Sequence, residues 1–262
     1  MTASARKAVD QLATRRDAGY ARSYWWMRRV VGWIGIVLPF LLFAGEVFFV
    51  PGTVHVRGSL SAYYHSAMQD FFVGGLCVIG FLLVTYMLGR TRSWDFRVSL
   101  VAGIAVLGVV FFPTRRPGWQ TLPSCRDATV PPSCSSVEHV LGESPTAVVH
   151  AICAVVFILG LAVMSLLFAA NEVRPGTPIG HRNRFALHLG LGILILVAGL
   201  WAFLGVDLFS VDRLYVGEVV AVWSFGASWL LARDRTAPDP RDLDLADTAD
   251  PPTATPAKEP AT

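Results

Sequence analysis

Residues 146–170 read TAVVHAICAVVFILGLAVMSLLFAA. This run contains no Asp, Glu, Lys or Arg and a single imidazole, His150. A helix needs about 20 mostly apolar residues to cross the hydrocarbon core of a bilayer, so this block is long enough to span it. Working outward, five further blocks have the same character: residues 30–50, 67–88, 96–112, 185–204 and 214–231. The pattern predicts an all-α, polytopic membrane protein built as a six-transmembrane-helix bundle. The composition agrees, with 53% hydrophobic and 16% charged residues and a mean hydropathy of +0.51. A soluble domain carries roughly 25% charged residues. No internal repeat, nucleotide-binding glycine loop or soluble catalytic domain interrupts the blocks. The expected partners are the lipid bilayer and a lipid or small-molecule ligand, not nucleic acid.

The flanks divide the chain into three parts. Residues 1–29 read as a basic leader, partly helical and suited to anionic headgroups. It is too polar and too long to be the start of a signal peptide. Residues 30–232 form the membrane domain. Residues 233–262, rich in Pro, Ala, Asp and Thr, read as a disordered tail. The leader, the turn before the third span, the loop after the fourth and the tail together hold 17 of the 22 Lys and Arg. The other side keeps Arg57, Arg115, Arg116, Arg126 and Arg213. Positive residues mark the cytoplasmic side, so both termini are expected there. An even number of spans requires the same.

The cysteines fit this orientation. Cys125 and Cys134 lie in the long loop from Thr114 to Pro145, on the extracytoplasmic side. Two thiols nine residues apart in an oxidising space are expected to pair. Two free thiols, or a metal clip with His139, remain alternatives. Cys77 and Cys153 fall within spans and read as apolar packing residues.

Ionisable groups inside spans are costly and mark candidate sites. Ser66 and Gln69 have the spacing of a capping box, which would start the second span near Ala67. Asp70 then lies about one turn inside that span, with His65 just before it. Ser144 and Pro145 would open the fourth span, placing His150 roughly 7 Å below its end at 1.5 Å per residue. Asp212 would cap the sixth, with Glu218 at a similar depth. A polar pocket on the extracytoplasmic side is therefore expected from His65, Asp70, His150 and Glu218. It lies under a loop supplying Ser59, Ser61, Tyr63 and Tyr64. His55 and His139 read as solvated loop residues, and His188, near the other end, as a packing residue.

Three uses of such a pocket stay open. Two imidazoles and a carboxylate suit zinc, with His65, His150 and Asp70 as ligands and room for a water. Metal-bound water can attack an ester or amide, which would give Asp70 and Glu218 catalytic roles. A polar network could instead act as interhelical glue, with Asp70 complementing its helix dipole. A small-solute or proton-coupled transporter would use Asp70 and Glu218 as titrating groups. Gly74, Gly75, Gly80, Ala102, Gly103 and Gly108 are expected to let spans two and three pack closely.

From Ser59 to Gly74, the segment Ser-Leu-Ser-Ala-Tyr-Tyr-His, then Met68-Gln69-Asp70 and Phe72-Val73-Gly74, resembles a family of uncharacterised bacterial multi-span membrane proteins carrying a domain of unknown function. The resemblance continues through Ala102-Gly103, Phe112-Pro113-Thr114, His150, Glu218 and residues 223–230, Trp-Ser-Phe-Gly-Ala-Ser-Trp-Leu. It implies a multi-span protein of the bacterial inner membrane and no established activity. Ser61-Ala62-Tyr63-Tyr64-His65 is also similar to the Ser-x-x-x-His element of the alkaline ceramidase and hemolysin III superfamily. That likeness implies a zinc site and lipid amide hydrolysis. The superfamily's late His-x-x-x-His pair has no counterpart in this chain.

Overall fold

The computed structural model describes residues 3–50, 56–86, 92–126, 134–173, 182–204 and 211–232, with side chains from Trp26 onward. The 233–262 tail, His55 and the expected end of the second span at Leu88 lie outside the described residues. Among the described residues the chain is all-helical. The helices are α1 (Ala3–Phe49), α2 (Gln69–Thr85), α3 (Trp94–Phe111), α4 (Ser136–Leu141), α5 (Glu143–Glu172), α6 (Arg182–Leu204) and α7 (Arg213–Leu231). A 3-10 turn, Ser61–His65, precedes α2. The chain divides into residues 28–232 and a second unit of residues 1–27 with 233–262. Of the second unit, only the first part of α1 is described, and it is helical from Ala3.

Five helical segments are long and apolar enough to cross a membrane: Trp26–Phe49 of α1, and α3, α5, α6 and α7. The expected second span, the one not among these five, corresponds to α2, which has 17 residues. It starts later than expected because the Ser66–Gln69 capping box does not form. The Ser66 hydroxyl instead donates to Tyr63 O (2.7 Å) and accepts from Met68 N (3.0 Å), holding the 3-10 turn. Ser144 does not cap the fourth span either. Gly142, with φ of 88°, ends α4 and begins α5, so Ser144 and Pro145 fall inside the first turn of α5. Only glycine enters that left-handed region without steric cost. Asp212 caps α7 as expected, accepting from Leu214 N at 2.8 Å.

Within residues 28–232 the helices pack in chain order, α2 on α3, α3 on α5, α5 on α6 and α6 on α7. Helix α1 closes the ring between α7 and α2. A Cβ on Gly226 of α7 would lie 2.9 Å from Gly32 O of α1, and one on Gly75 of α2 would lie 3.0 Å from Leu38. The expected small-residue packing is present at Gly80, Gly103 and Gly108, where a Cβ would meet α3, α2 and α5 respectively at under 3 Å. Ala102 packs against Gly160 of α5. Gly74 faces open space and does not belong to this set. Without a hydrophobic force between helices in lipid, such close backbone approach supplies much of the association energy. The outward faces carry the residues lipid requires, among them Phe48, Phe81, Ile104, Ile152 and Leu200, all exposed.

Candidate functional site

One end of the bundle is covered by two pieces of chain between helices. The first is the Ser59–His65 turn. Ser59 Oγ accepts from Ala62 N (3.0 Å), and Tyr63 N donates to Leu60 O (3.1 Å), which tightens the segment into a single 3-10 turn. The turn is fastened to α7 by Glu218, whose Oε2 accepts from Leu60 N at 2.6 Å. The Ser61 N–H stands beside the same carboxylate. An anion at the exposed N–H groups of a helical turn is the expected electrostatic match. Arg57 anchors the preceding residues by donating through Nε to Glu46 Oε2 of α1 at 2.9 Å, with its second nitrogen on Oε1. Its guanidinium also lies 5.9 Å from the Tyr63 ring.

The second piece is the described part of the 113–145 connection, residues 113–126 and 134–145. Cys125 and Cys134 are bonded, with S–S 2.08 Å. Arg116 is 2% exposed and grips Glu143 through Nε (2.8 Å) and Nη2 (3.1 Å), while Nη2 also reaches Pro123 O at 2.8 Å. Helix α4 starts with a capping box in which Ser135 Oγ accepts from Glu138 N and Glu138 Oε2 accepts from Ser135 N. His139 is not a solvated residue alone, since its Nδ1 sits 2.8 Å from Cys125 O.

Two of the expected site residues tie these pieces together. His65 Nε2 lies 2.7 Å from Thr114 O, and His150 Nδ1 lies 2.7 Å from Phe112 O. Carbonyls only accept, so each of these nitrogens carries a proton. Both imidazoles thus converge on the Phe112–Pro113–Thr114 link that ends α3. His150 is buried and His65 half-buried.

Glu218 and Ser61 line the outer part of a cavity of about 60 Å³ inside the helix ring. Its other walls are apolar and come from α1 (Leu38, Pro39), α2 (Phe72, Leu76), α3 (Val109), α5 (Ala154, Phe157) and α7 (Val222, Phe225). Pro39 contributes by having no N–H to bond Gly35 O, which also borders the space. Trp223 Nε1 donates to Ile36 O on the same stretch of α1 at 3.0 Å, so the interrupted helix is braced from α7. Asp70 is placed differently. It is exposed and lines an outward groove between α1 and α2 with Trp33, Val37, Phe71 and Gly74.

Tyr63 is fully buried, and burial pushes its phenol well above the ordinary value, reinforced by Tyr215 and Glu46 and opposed by Arg57. Burial also raises Tyr64, with Glu138 adding to the effect. Among the described residues, three metal-capable donors within 4.8 Å of one another occur at Cys125, Glu138 and Glu143. There the sulfur is committed to the disulfide and Glu143 to Arg116.

Sequence reasoning passed over Glu46, Arg116, Glu138 and Glu143. Glu46 sits in an apolar run, Phe43-Ala44-Gly45-Glu46-Val47-Phe48, and the rule applied to Asp70 and Glu218 would have found it. The other three lie in the loop, where charge is ordinary and gives no signal. No protein-family model, curated protein or solved structure matches the chain.

Proposed function

We propose that the chain is a six-span bacterial inner-membrane protein that receives a small amphipathic ligand from the extracytoplasmic side. Helix α2 counts as the sixth span in this reading, since 17 residues rise roughly 25 Å, the lower limit of what a thin or locally thinned bilayer requires. The positive residues favour both termini in the cytoplasm. A topology reporter fused after Ala232 tests this, and a periplasmic signal from it would overturn the even span count.

The observation that carries the ligand reading is one carboxylate, Glu218, beside Ser61 at the capped end of a cavity whose other walls are apolar. Sites for small molecules combine apolar walls with a few polar groups that fix orientation. Glu218 would accept a hydrogen bond from an amide or hydroxyl head, and the apolar walls would take the end of its alkyl chain. The test is photo-crosslinking of purified protein with a diazirine-bearing N-acylethanolamine. Labelling is expected at Phe72, Phe157 or Val222 and should fall when Ala154→Phe fills the cavity. Labelling spread equally over the lipid-facing Phe81 and Ile104 would reject it.

A second reading has its own support in the two histidines. Metal-ligating imidazoles usually donate their other N–H to a carbonyl or carboxylate. His65 and His150 each have a ring nitrogen on a carbonyl, and in the neutral form the other nitrogen would be the ligand. The chemistry of these donors fits zinc, which would supply an activated water for hydrolysis of a lipid amide or ester. In that reading His65 and His150 would ligate and Glu218 would take a proton from the water, although among the described residues these imidazoles and Asp70 do not form a group of donors within 4.8 Å of one another. Asp70 opens to the α1–α2 groove, so this reading leans on the imidazoles. Metal analysis of gently purified protein beside a His65→Ala/His150→Ala variant decides it. Absence of stoichiometric metal from the wild type removes its support.

A further inference from the structure

A second polar cluster lies at the end of the bundle opposite the cap. The Arg28 guanidinium of α1 is 5.6 Å from the Phe168 ring of α5 and 5.8 Å from the Trp229 ring of α7. Phe168 packs edge-on against both His188 of α6 (5.9 Å) and Trp229 (5.4 Å). Arg184 stands one helical turn before His188, and Tyr86, at the end of α2, covers Trp229 at 4.9 Å. Five helices therefore bring a side chain to one level. His188 is 0% exposed, Trp229 1% and Arg28 7%.

Part of this cluster is structural. Arg28 Nη2 donates to Ala232 O (2.9 Å) and Trp229 O (3.4 Å), satisfying carbonyls that the end of α7 leaves unpaired. Ser228 Oγ lies 2.9 Å from His188 Nδ1. What is left over is one-sided. Arg28 Nε, Arg184 Nη1, His188 Nε2 and Trp229 Nε1 are all buried without a hydrogen-bond partner. Arginine and indole nitrogens can only donate, and His188 Nε2 donates too when Ser228 gives its hydroxyl proton to Nδ1. Buried polar groups in folded proteins are almost always paired, so four orphaned donors at one place call for an acceptor. The charged groups around His188 are Glu172, Arg184 and Arg28, which sum to one net positive charge.

We propose that this cluster is a binding site for a phosphate oxyanion, presented by a lipid headgroup or free in solution. A phosphate offers acceptors in several directions and the negative charge that water lacks. The level also suits a headgroup, because α5 ends at Glu172, α6 begins at Arg182 and α7 ends at Leu231, all within a few residues of the cluster. The site is separate from the cavity under the cap, so neither reading depends on the other.

The test uses the full chain in maltoside micelles and follows its thermal midpoint. Four additions are compared: inorganic phosphate, sodium chloride at matched ionic strength, dioleoylphosphatidylglycerol, and dioleoylglycerol, which lacks the phosphate. Phosphate, phosphatidylglycerol or both should raise the midpoint in a saturable way, and which of them does so names the source. Trp229→Phe keeps an aromatic ring, though a smaller one, and loses the indole N–H, and should weaken the apparent affinity roughly tenfold. Arg184→Gln should weaken it as well, while Arg182→Gln on the exposed face should not. The proposal is overturned if neither phosphate nor phosphatidylglycerol exceeds its control. It is also overturned if Trp229→Phe binds as the wild type does, a readout that stands even where Arg184→Gln fails to fold.

Discussion

Replacing Arg116 by Gln should loosen the 113–145 cap while leaving the helix ring intact. Arg116 and Glu143 are both buried, with side-chain exposures of 2% and 7%, and meet through two hydrogen bonds. Gln is too short to reach both carboxylate oxygens and carries no charge. Glu143 would then be a buried, unpaired carboxylate beside the equally buried Glu138. Removing one partner of a buried ion pair costs about 3–5 kcal/mol, chiefly through the charge left behind. Pro123 O would lose its donor as well. The cap closes locally through α4, where His139 N and Gly142 N are held by Ser135 O and Glu138 O. Hydrogen exchange of these amides reads the opening equilibrium directly. A cost of that size accelerates exchange by roughly two to four orders of magnitude, or to the unprotected rate if the cap is less stable than that. Arg116→Met/Glu143→Leu removes the charge problem and should exchange much more slowly than Arg116→Gln. Wild-type protection in Arg116→Gln, or equal exchange in the single and double variants, would refute the electrostatic account.

Three further outcomes follow from the same geometry. Glu218→Leu should destabilise the cap by about 1–3 kcal/mol because Leu60 N is left without an acceptor, whereas Glu218→Gln keeps one and should cost less. Thermal midpoints of the two variants check this, and equal midpoints count against it. Gly160→Leu should prevent assembly of α3 on α5, since even a Cβ there would stand 2.8 Å from the Ala102 Cβ, and overpacking costs about 1–3 kcal/mol or more. Folded yield against Gly74→Leu, which meets open space, supplies the comparison. Tyr63 has a folded-state value raised above the unfolded one near 10, so its contribution is complete below pH about 10 and is lost as the pH rises toward the folded value. Tyr63→Phe should flatten that alkaline loss. Full ionisation of the wild-type phenols by pH about 11, read from tyrosinate absorbance, would contradict the burial of this residue.

The His65–Asp70–His150–Glu218 group illustrates how far one-dimensional reasoning reaches. Depth along a helix follows from 1.5 Å per residue, so the level of Glu218 was legible in its distance from Asp212, whereas His150 lies further from its helix start, at Gly142, than its distance from Ser144 implied. Rotation about the helix axis was not legible, because in lipid every face of a span is apolar and no polar face marks the interior. Hence Asp70 and Glu218, alike in depth, open to an outer groove and to the inner cavity respectively. Even the level of α2 moved slightly, because Ser66 spent its hydroxyl on the preceding turn.

The amino-acid sequence by itself determined that this chain is helical with segments long and apolar enough to cross a membrane, and supplied the two cysteines that could pair. Those conclusions rest on additive properties, apolar length and charge count, which need no knowledge of neighbours. Tertiary structure alone decided that both imidazoles fasten to the Phe112–Thr114 carbonyls and that Arg116 is sealed against Glu143. It likewise decided that Arg28, Arg184, His188 and Trp229 each keep a buried nitrogen without a hydrogen-bond partner. Those are pairings between residues up to about 200 positions apart, such as Arg28 with Trp229. Each is fixed by how helices rotate and pack, which depends on close contacts at Gly226, Gly103 and Gly160 that composition and periodicity do not encode.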